Sequence, residues 1–127
     1  MNNSSKNISI YTEISYDGDI DDSGHRNGYG VHNWPNGTVY RGDFKDGSRN
    51  GFGVMKWVNG TVYIGEWFNG SRHGKGLIKS KSGRIYLGDW FYGTLLNYNV
   101  MNFYNENLHE KDSVNANCIR LLKTITL

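Results

Sequence analysis

Between Tyr16 and about residue 104 the chain alternates large and small, apolar and polar positions with period two, and glycine recurs throughout. Tyr63-Ile64-Gly65-Glu66-Trp67 is the clearest stretch. Successive side chains of a strand point to opposite faces, so Tyr63, Gly65 and Trp67 share one face while Ile64 and Glu66 share the other. The strand that pairs with it puts Gly53, Met55 and Trp57 on the first face and Val54 with Lys56 on the second. Pro35-Asn36-Gly37 suits a type I turn, with proline second and glycine in the left-handed position after asparagine. A three-residue loop of this kind preserves parity, setting Met55 opposite Tyr63 and keeping Trp57 on the aromatic face. A two-residue loop would put Lys56 there instead. After Glu106 the alternation stops. Asp112 or Ser113 can cap a helix in which Val114, Cys118, Leu121 and Ile125 recur at helical spacing, with Leu122 widening the stripe. This predicts a short amphipathic helix covering the open C-terminal edge of the sheet.

The strands belong to a repeat. Tyr40, Tyr63 and Tyr86 are spaced by 23 residues, and Gly42, Gly65 and Gly88 recur in step. So do Asp43, Glu66 and Asp89, then Phe44, Trp67 and Trp90, then Gly47, Gly70 and Gly93. Gly51 matches Gly74, Gly53 matches Gly76, and Gly60 matches Gly83. Self-similarity at one fixed period marks a stacked array of supersecondary units. Upstream, Gly28, Gly30, Trp34, Asn36 and Gly37 continue it, but Tyr16, Gly18 and Asp19 lie one residue early, which implies an insertion before Gly28. Downstream, Asn97 and Asn99 replace two glycines. Degenerate ends fit a stack whose terminal units face water.

The expected fold is all-β: tandem antiparallel hairpins of 23 residues forming a twisted ribbon, with a short C-terminal capping helix. Residues 1–15 are expected to be a weakly structured N-terminal segment, 16–104 the repeat array with degenerate first and last units, and 105–127 a tail with the short amphipathic helix. Tyr40, Phe44, Trp57, Tyr63, Trp67, Tyr86 and Trp90 make a structural aromatic face. A strand glycine leaves a hole in which a neighbouring ring can lie flat, so glycine and aromatic positions should interlock. Four units of two strands, at about 4.8 Å per strand, would make a ribbon on the order of 40 Å long.

Composition agrees. There are 17 glycines among 127 residues, 14% aromatics and one proline. The single cysteine, Cys118, excludes an internal disulfide framework and reads as a buried thiol in a reducing compartment. No stretch approaches 18 apolar residues, and MNNSSKNISIYTEIS lacks the continuous apolar core of a secretion signal. A soluble, cytoplasmic protein is the expectation. Asn36, Asn59 and Asn69 sit in glycosylation sequons but read more simply as turn residues.

Net charge is +2, unevenly spread. Residues 1–38 carry two basic and five acidic side chains, residues 39–104 nine and four, and the last 23 three of each. Between Glu66 and Asp89 stand Arg72, Lys75, Lys79, Lys81 and Arg84 with no acid among them. In the predicted hairpin these five could form a basic stripe able to dock on anionic phospholipid, each charge contributing on the order of 1 kcal/mol. The acidic N-terminal third and the small net charge argue against nucleic acid.

Catalytic and cofactor chemistry find no support. Gly70-Ser71-Arg72-His73-Gly74-Lys75 has one residue too few between its glycines for a phosphate-binding loop, and Gly76 replaces the hydroxyl residue. The glycine pairs Gly51/Gly53 and Gly74/Gly76 lack the third glycine of a dinucleotide fingerprint. His25, His32, His73 and His109 have no ligand-like spacing with one another or with Cys118, so no metal is expected. No serine or cysteine has an activating context. Asp43, Glu66 and Asp89 are expected to balance Lys56 and Lys79 across the strands.

Tyr63-Ile64-Gly65-Glu66-Trp67, Gly70 and Arg72-His73-Gly74-Lys75-Gly76, closed by an Asn-Gly turn, resemble the MORN (membrane occupation and recognition nexus) repeat. The resemblance covers residues 16–104, with Asn50 where the family usually has histidine. It implies a curved, twisted antiparallel array and protein–protein scaffolding, in settings that include cytoskeleton and cilia, with phospholipid contact often proposed. The combined expectation is a non-catalytic scaffold or adaptor that needs no cofactor. Its partners would be proteins, with a second copy or an anionic membrane surface as further candidates.

Overall fold

The alternating segments become eight strands in the computed structural model, which describes residues 15–101 and 113–126. They are β1 (Ser15–Ile20), β2 (Arg26–Asn33), β3 (Val39–Lys45), β4 (Ser48–Lys56), β5 (Val62–Phe68), β6 (Ser71–Lys79), β7 (Ile85–Phe91) and β8 (Thr94–Met101), followed by the helix α1 (Ser113–Thr126). Each strand pairs antiparallel with the next, giving one open sheet in chain order.

Two turn types alternate. At one end Trp34 N–H donates to the Thr38 carbonyl (2.9 Å) and Gly37 N–H to the Trp34 carbonyl (3.0 Å), closing the expected three-residue loop. Trp57–Thr61 repeats it. Asn36 and Asn59 accept the N–H of Thr38 and Thr61 through their side chains, so both are turn residues as read. Met55 consequently faces Tyr63 across the pair. At the other end Asp46-Gly47, Asn69-Gly70 and Tyr92-Gly93 all have positive φ, the geometry of two-residue type I′ turns. The first hairpin instead has three residues, Asp22-Ser23-Gly24, closed by Asp21 N–H to the His25 carbonyl at 2.8 Å. That is where the extra residue before Gly28 sits.

Each regular hairpin contains a bulge between its glycine and its following aromatic, as at Gly42/Phe44 and Gly65/Trp67. The acid in between serves it. Asp43 Oδ2 accepts Phe52 N–H (3.2 Å) and Glu66 Oε1 accepts Lys75 N–H (2.7 Å). The expectation that these acids balance Lys56 and Lys79 is therefore corrected: their partners are backbone donors, and Asp89 pairs with Lys75 Nζ at 3.1 Å. Gly51 and Gly74 hold the left-handed φ that the bulge requires. Asn97 stands at the corresponding place in the last hairpin, and there the bulge shortens by one residue. Gly88 pairs with Tyr98, where a full repeat would bring Asn99. The slip moves every following side chain to the opposite face. Tyr98 thereby meets the Tyr86 ring, and Met101 joins the aliphatic core.

Two cores result, one on each face. The first is aromatic: Tyr40, Phe44, Met55, Tyr63, Trp67 and Trp90. The second is aliphatic: Val62, Ile64, Leu77, Ile85 and Leu87, covered by Cys118 and Leu122 of α1. The helix thus lies on the face of the sheet over β5 and β6, not on its C-terminal edge as the stripe suggested. The reason is the aliphatic patch. Among the described strands, β5–β7 alone bring five aliphatic side chains together on this face, and each is worth about 1.5–3 kcal/mol when the helix removes it from water.

Candidate functional site

On the aromatic face a row of glycines crosses the sheet in register: Gly18, Gly30, Gly42, Gly53, Gly65, Gly76 and Gly88. The tyrosine rings lie over it. Tyr40 Oη donates to the Asp43 carbonyl and Tyr63 Oη to the Glu66 carbonyl, both at 2.8 Å, which pins each ring across the row. Tyr16, Phe44, Tyr40, Trp67, Tyr63 and Trp90 then form an unbroken zigzag of edge-to-face pairs with centroids 5.1–5.3 Å apart. Such pairs add roughly 0.5–1.5 kcal/mol each beyond burial. Burial pushes the Tyr40 and Tyr63 phenols well above the usual range. Of the expected aromatic face, Tyr40, Phe44, Tyr63, Trp67 and Trp90 are buried together. Trp57 and Tyr86 share the face but are half-buried.

Over these rings runs a ladder that sequence reasoning missed. Arg26, Arg49 and Arg72 are 23 residues apart, and their guanidiniums lie 4.6, 4.8 and 4.7 Å from the ring centroids of Tyr16, Trp67 and Trp90. Arg49 and Arg72 also donate to the Gly70 and Gly93 carbonyls (2.8 and 3.2 Å). The fixed spacing of the three arginines was the available signal. Desolvation lowers all three pKa values, although a guanidinium stays charged at neutral pH. The rings and their arginine cover close on one another, so this face is largely self-occupied.

His32 marks the ladder's end. It stacks on Trp34 at 3.8 Å and takes a hydrogen bond on Nδ1 from Arg26, while Nε2 is buried with no partner among the described residues. Desolvation first, then Arg26 and Arg49, depress its pKa from 6.5 to about 4. A depressed histidine means the unfolded chain binds the proton first. The stability His32 protects is therefore complete above pH 6.5, is lost as pH falls toward 4, and changes no further below that. Denaturant titrations between these limits should show a smaller decline for His32→Gln than for the parent. Equal declines would exclude this assignment.

The five cations expected to form one stripe are not brought together. Arg72 is on the aromatic face under its ring contacts, and Lys75 pairs with Asp89. Lys79 lies between Val62 and Ile85 on the helix face, while Lys81 and Arg84 are exposed at the Ser80–Arg84 turn. His73 accepts Tyr92 N–H on Nδ1 at 3.1 Å, a structural contact between neighbouring hairpin turns. Cys118 is fully buried and its Sγ donates to the Ile64 carbonyl at 3.1 Å.

The helix face leaves an open surface as well. α1 covers only its C-terminal half, and beside the helix lies a groove of about 750 Å³. Val39, Phe52 and Val54 make its floor, Leu121 and Ile125 of α1 one wall, and Arg41 and Lys56 reach its surface. Tyr29 and Val58 line it at 56% and 66% exposure.

Eight strands in chain order, a 23-residue period and unlike faces define a tandem hairpin-repeat protein built on a single sheet. Residues 23–39, 40–62 and 63–83 match the model of the MORN repeat. The chain carries three consecutive MORN repeats, in agreement with the resemblance read from its motifs. No curated protein matches the chain significantly.

Proposed function

We propose that this protein is a non-catalytic, cytoplasmic scaffold that binds a partner protein through the open half of its helix face. The observation that carries this reading is the groove beside α1. It is large, floored by half-buried aliphatic and aromatic side chains, and continuous with the packed core under the helix. Exposed apolar patches rimmed by polar side chains mark interaction sites, and an elongated repeat sheet offers such a patch to another chain. The phospholipid alternative is left with Lys79, Lys81 and Arg84, which at about 1 kcal/mol each give weak attachment. A cytoskeletal or ciliary setting, which the resemblance implies, would follow from the partner's identity. Affinity purification from the native cell should recover a reproducible partner that Val54→Asp loses while its far-UV spectrum is unchanged. Identical recovery by parent and variant would overturn the reading. So would attachment to anionic vesicles alone that disappears when Lys79, Lys81 and Arg84 become glutamate.

A further inference from the structure

The 23-residue repeat that builds the sheet also repeats the surface on which α1 rests. Translating that seat by one unit carries Val62 to Val39, Leu77 to Val54, Ile85 to Val62 and Leu87 to Ile64. These positions are in register across the strands: Arg41, Val54, Ile64, Leu77 and Leu87 form one continuous row on this face. The floor of the groove is therefore the upstream copy of the surface that already holds a helix. Two strands at about 4.8 Å displace the copy by about 10 Å, within the 8–10 Å separation of packed helices. A helix laid there would come against the side of α1 that carries Leu121 and Ile125. Leu121 and Ile125, one helical turn apart, already face that space as its wall, whereas Cys118 and Leu122 point into the sheet.

The copy differs from the original in charge. Arg41 replaces Ile64, and both Arg41 and Lys56 are exposed. Asp43 also lines the groove, with Oδ2 accepting Phe52 N–H, so the lining carries two cations against one acid, and no ion pair to Arg41 or Lys56 forms among the described residues. A second copy's α1 is a poor fit, because residues 113–126 contain Arg120 and Lys123 and no acid. We propose that the groove is a second helix seat that takes an acidic amphipathic helix from a partner protein, packed alongside α1. This rests on the scaffold reading and names its ligand: an aliphatic stripe to fill the floor over Val39 and Val54, flanked by carboxylates to meet Arg41 and Lys56.

The test titrates the full chain with two synthetic helical peptides of α1's 14-residue length. Both carry the same leucine stripe; one is flanked by glutamate and the other by lysine. Fluorescence anisotropy should show the glutamate peptide binding at least about tenfold more tightly. Arg41→Glu should remove that preference and Val54→Asp should abolish binding of both, with far-UV spectra unchanged. Equal affinity of the two peptides, or a preference unaffected by Arg41→Glu, overturns the acidic-helix assignment. Concentration-dependent dimerisation that competes with the peptide makes a second copy the occupant instead. Binding that emerges only when residues 1–14 are deleted makes that segment the occupant, and likewise overturns the proposal. Should the native partner be lost on Val54→Asp while the peptides are not told apart, the scaffold reading stands and the acidic helix falls.

Discussion

Trp67→Ala should destabilise the protein by about 3–5 kcal/mol, the range for deleting a large aromatic from a core. Its indole is only 5% exposed and lies edge-to-face between Tyr40 at 5.3 Å and Tyr63 at 5.1 Å. Nε1–H donates to the Gly53 carbonyl at 3.2 Å, and the Arg49 guanidinium covers the ring at 4.8 Å. Alanine removes the ring that joins two successive repeats, and neither tyrosine can move into the space while its hydroxyl is tied to the backbone. In a stacked array that break separates the units on either side, since stability is carried by nearest-neighbour interfaces. Small domains have only about 5–15 kcal/mol in all, so the loss is a large share. Trp67→Phe, which restores the residue type found at Phe44, should cost far less, chiefly the lost hydrogen bond at about 1 kcal/mol. Urea unfolding of parent and both variants decides this. A Trp67→Ala loss below about 1 kcal/mol would mean that the zigzag does not couple the repeats.

Adding a single methyl group at Gly76 should be nearly as damaging as removing the indole. A Cβ there would stand 2.2 Å from Tyr63 Oη, 2.5 Å from Cζ and 2.6 Å from Cε1. The ring has nowhere to go. Tyr63 is fully buried, flanked by Trp67 and Trp90, and hydrogen-bonded to the Glu66 carbonyl. Gly76 → Ala therefore has to displace the ring and break that bond, at a combined cost of about 3 kcal/mol or more. Gly83→Ala is the matched control. Gly83 has φ +97° with nothing within 4 Å of an added Cβ, so only backbone strain opposes alanine, roughly 1–2 kcal/mol. Chemical denaturation should rank Gly76→Ala as clearly the worse of the two. The reverse order would show that Tyr63 does not occupy the glycine hole.

His32, Arg26 and the arginine ladder illustrate what can be read from a chain and what is easily overlooked. The three arginines keep the period as strictly as the tyrosines do, but they sit in segments otherwise marked by glycine and polar residues. Charged side chains at strand starts are ordinarily solvated, and nothing local says that these three turn back over aromatic rings. The groove was harder still. Its floor residues look unremarkable in sequence, because half-exposed valines on one face of a strand are compatible with any cover.

By itself the sequence determined the strands of the regular units, their antiparallel pairing, and which of their aromatic and aliphatic residues share a face. Those features depend on short-range physics: period-two alternation, loop parity at Asn36-Gly37 and Asn59-Gly60, and glycine beneath aromatic rings. The one-residue insertion before Gly28 was legible for the same reason, since a fixed period makes any offset visible. Only the tertiary structure decided where α1 rests. The amphipathic stripe states that the helix must bury Cys118 and Leu122, but an apolar stripe carries no address. Val62, Ile64, Leu77, Ile85 and Leu87 supply that address only once β5, β6 and β7 lie side by side. The fate of the basic residues was decided at the same level. Arg72 and Lys75 are three residues apart and read as one charged run, yet one stacks on Trp90 while the other reaches Asp89 across the opposite face. Strand parity and the bulge that glycine permits separate them, because the bulge adds residues to one strand of each pair and resets which side chains face together.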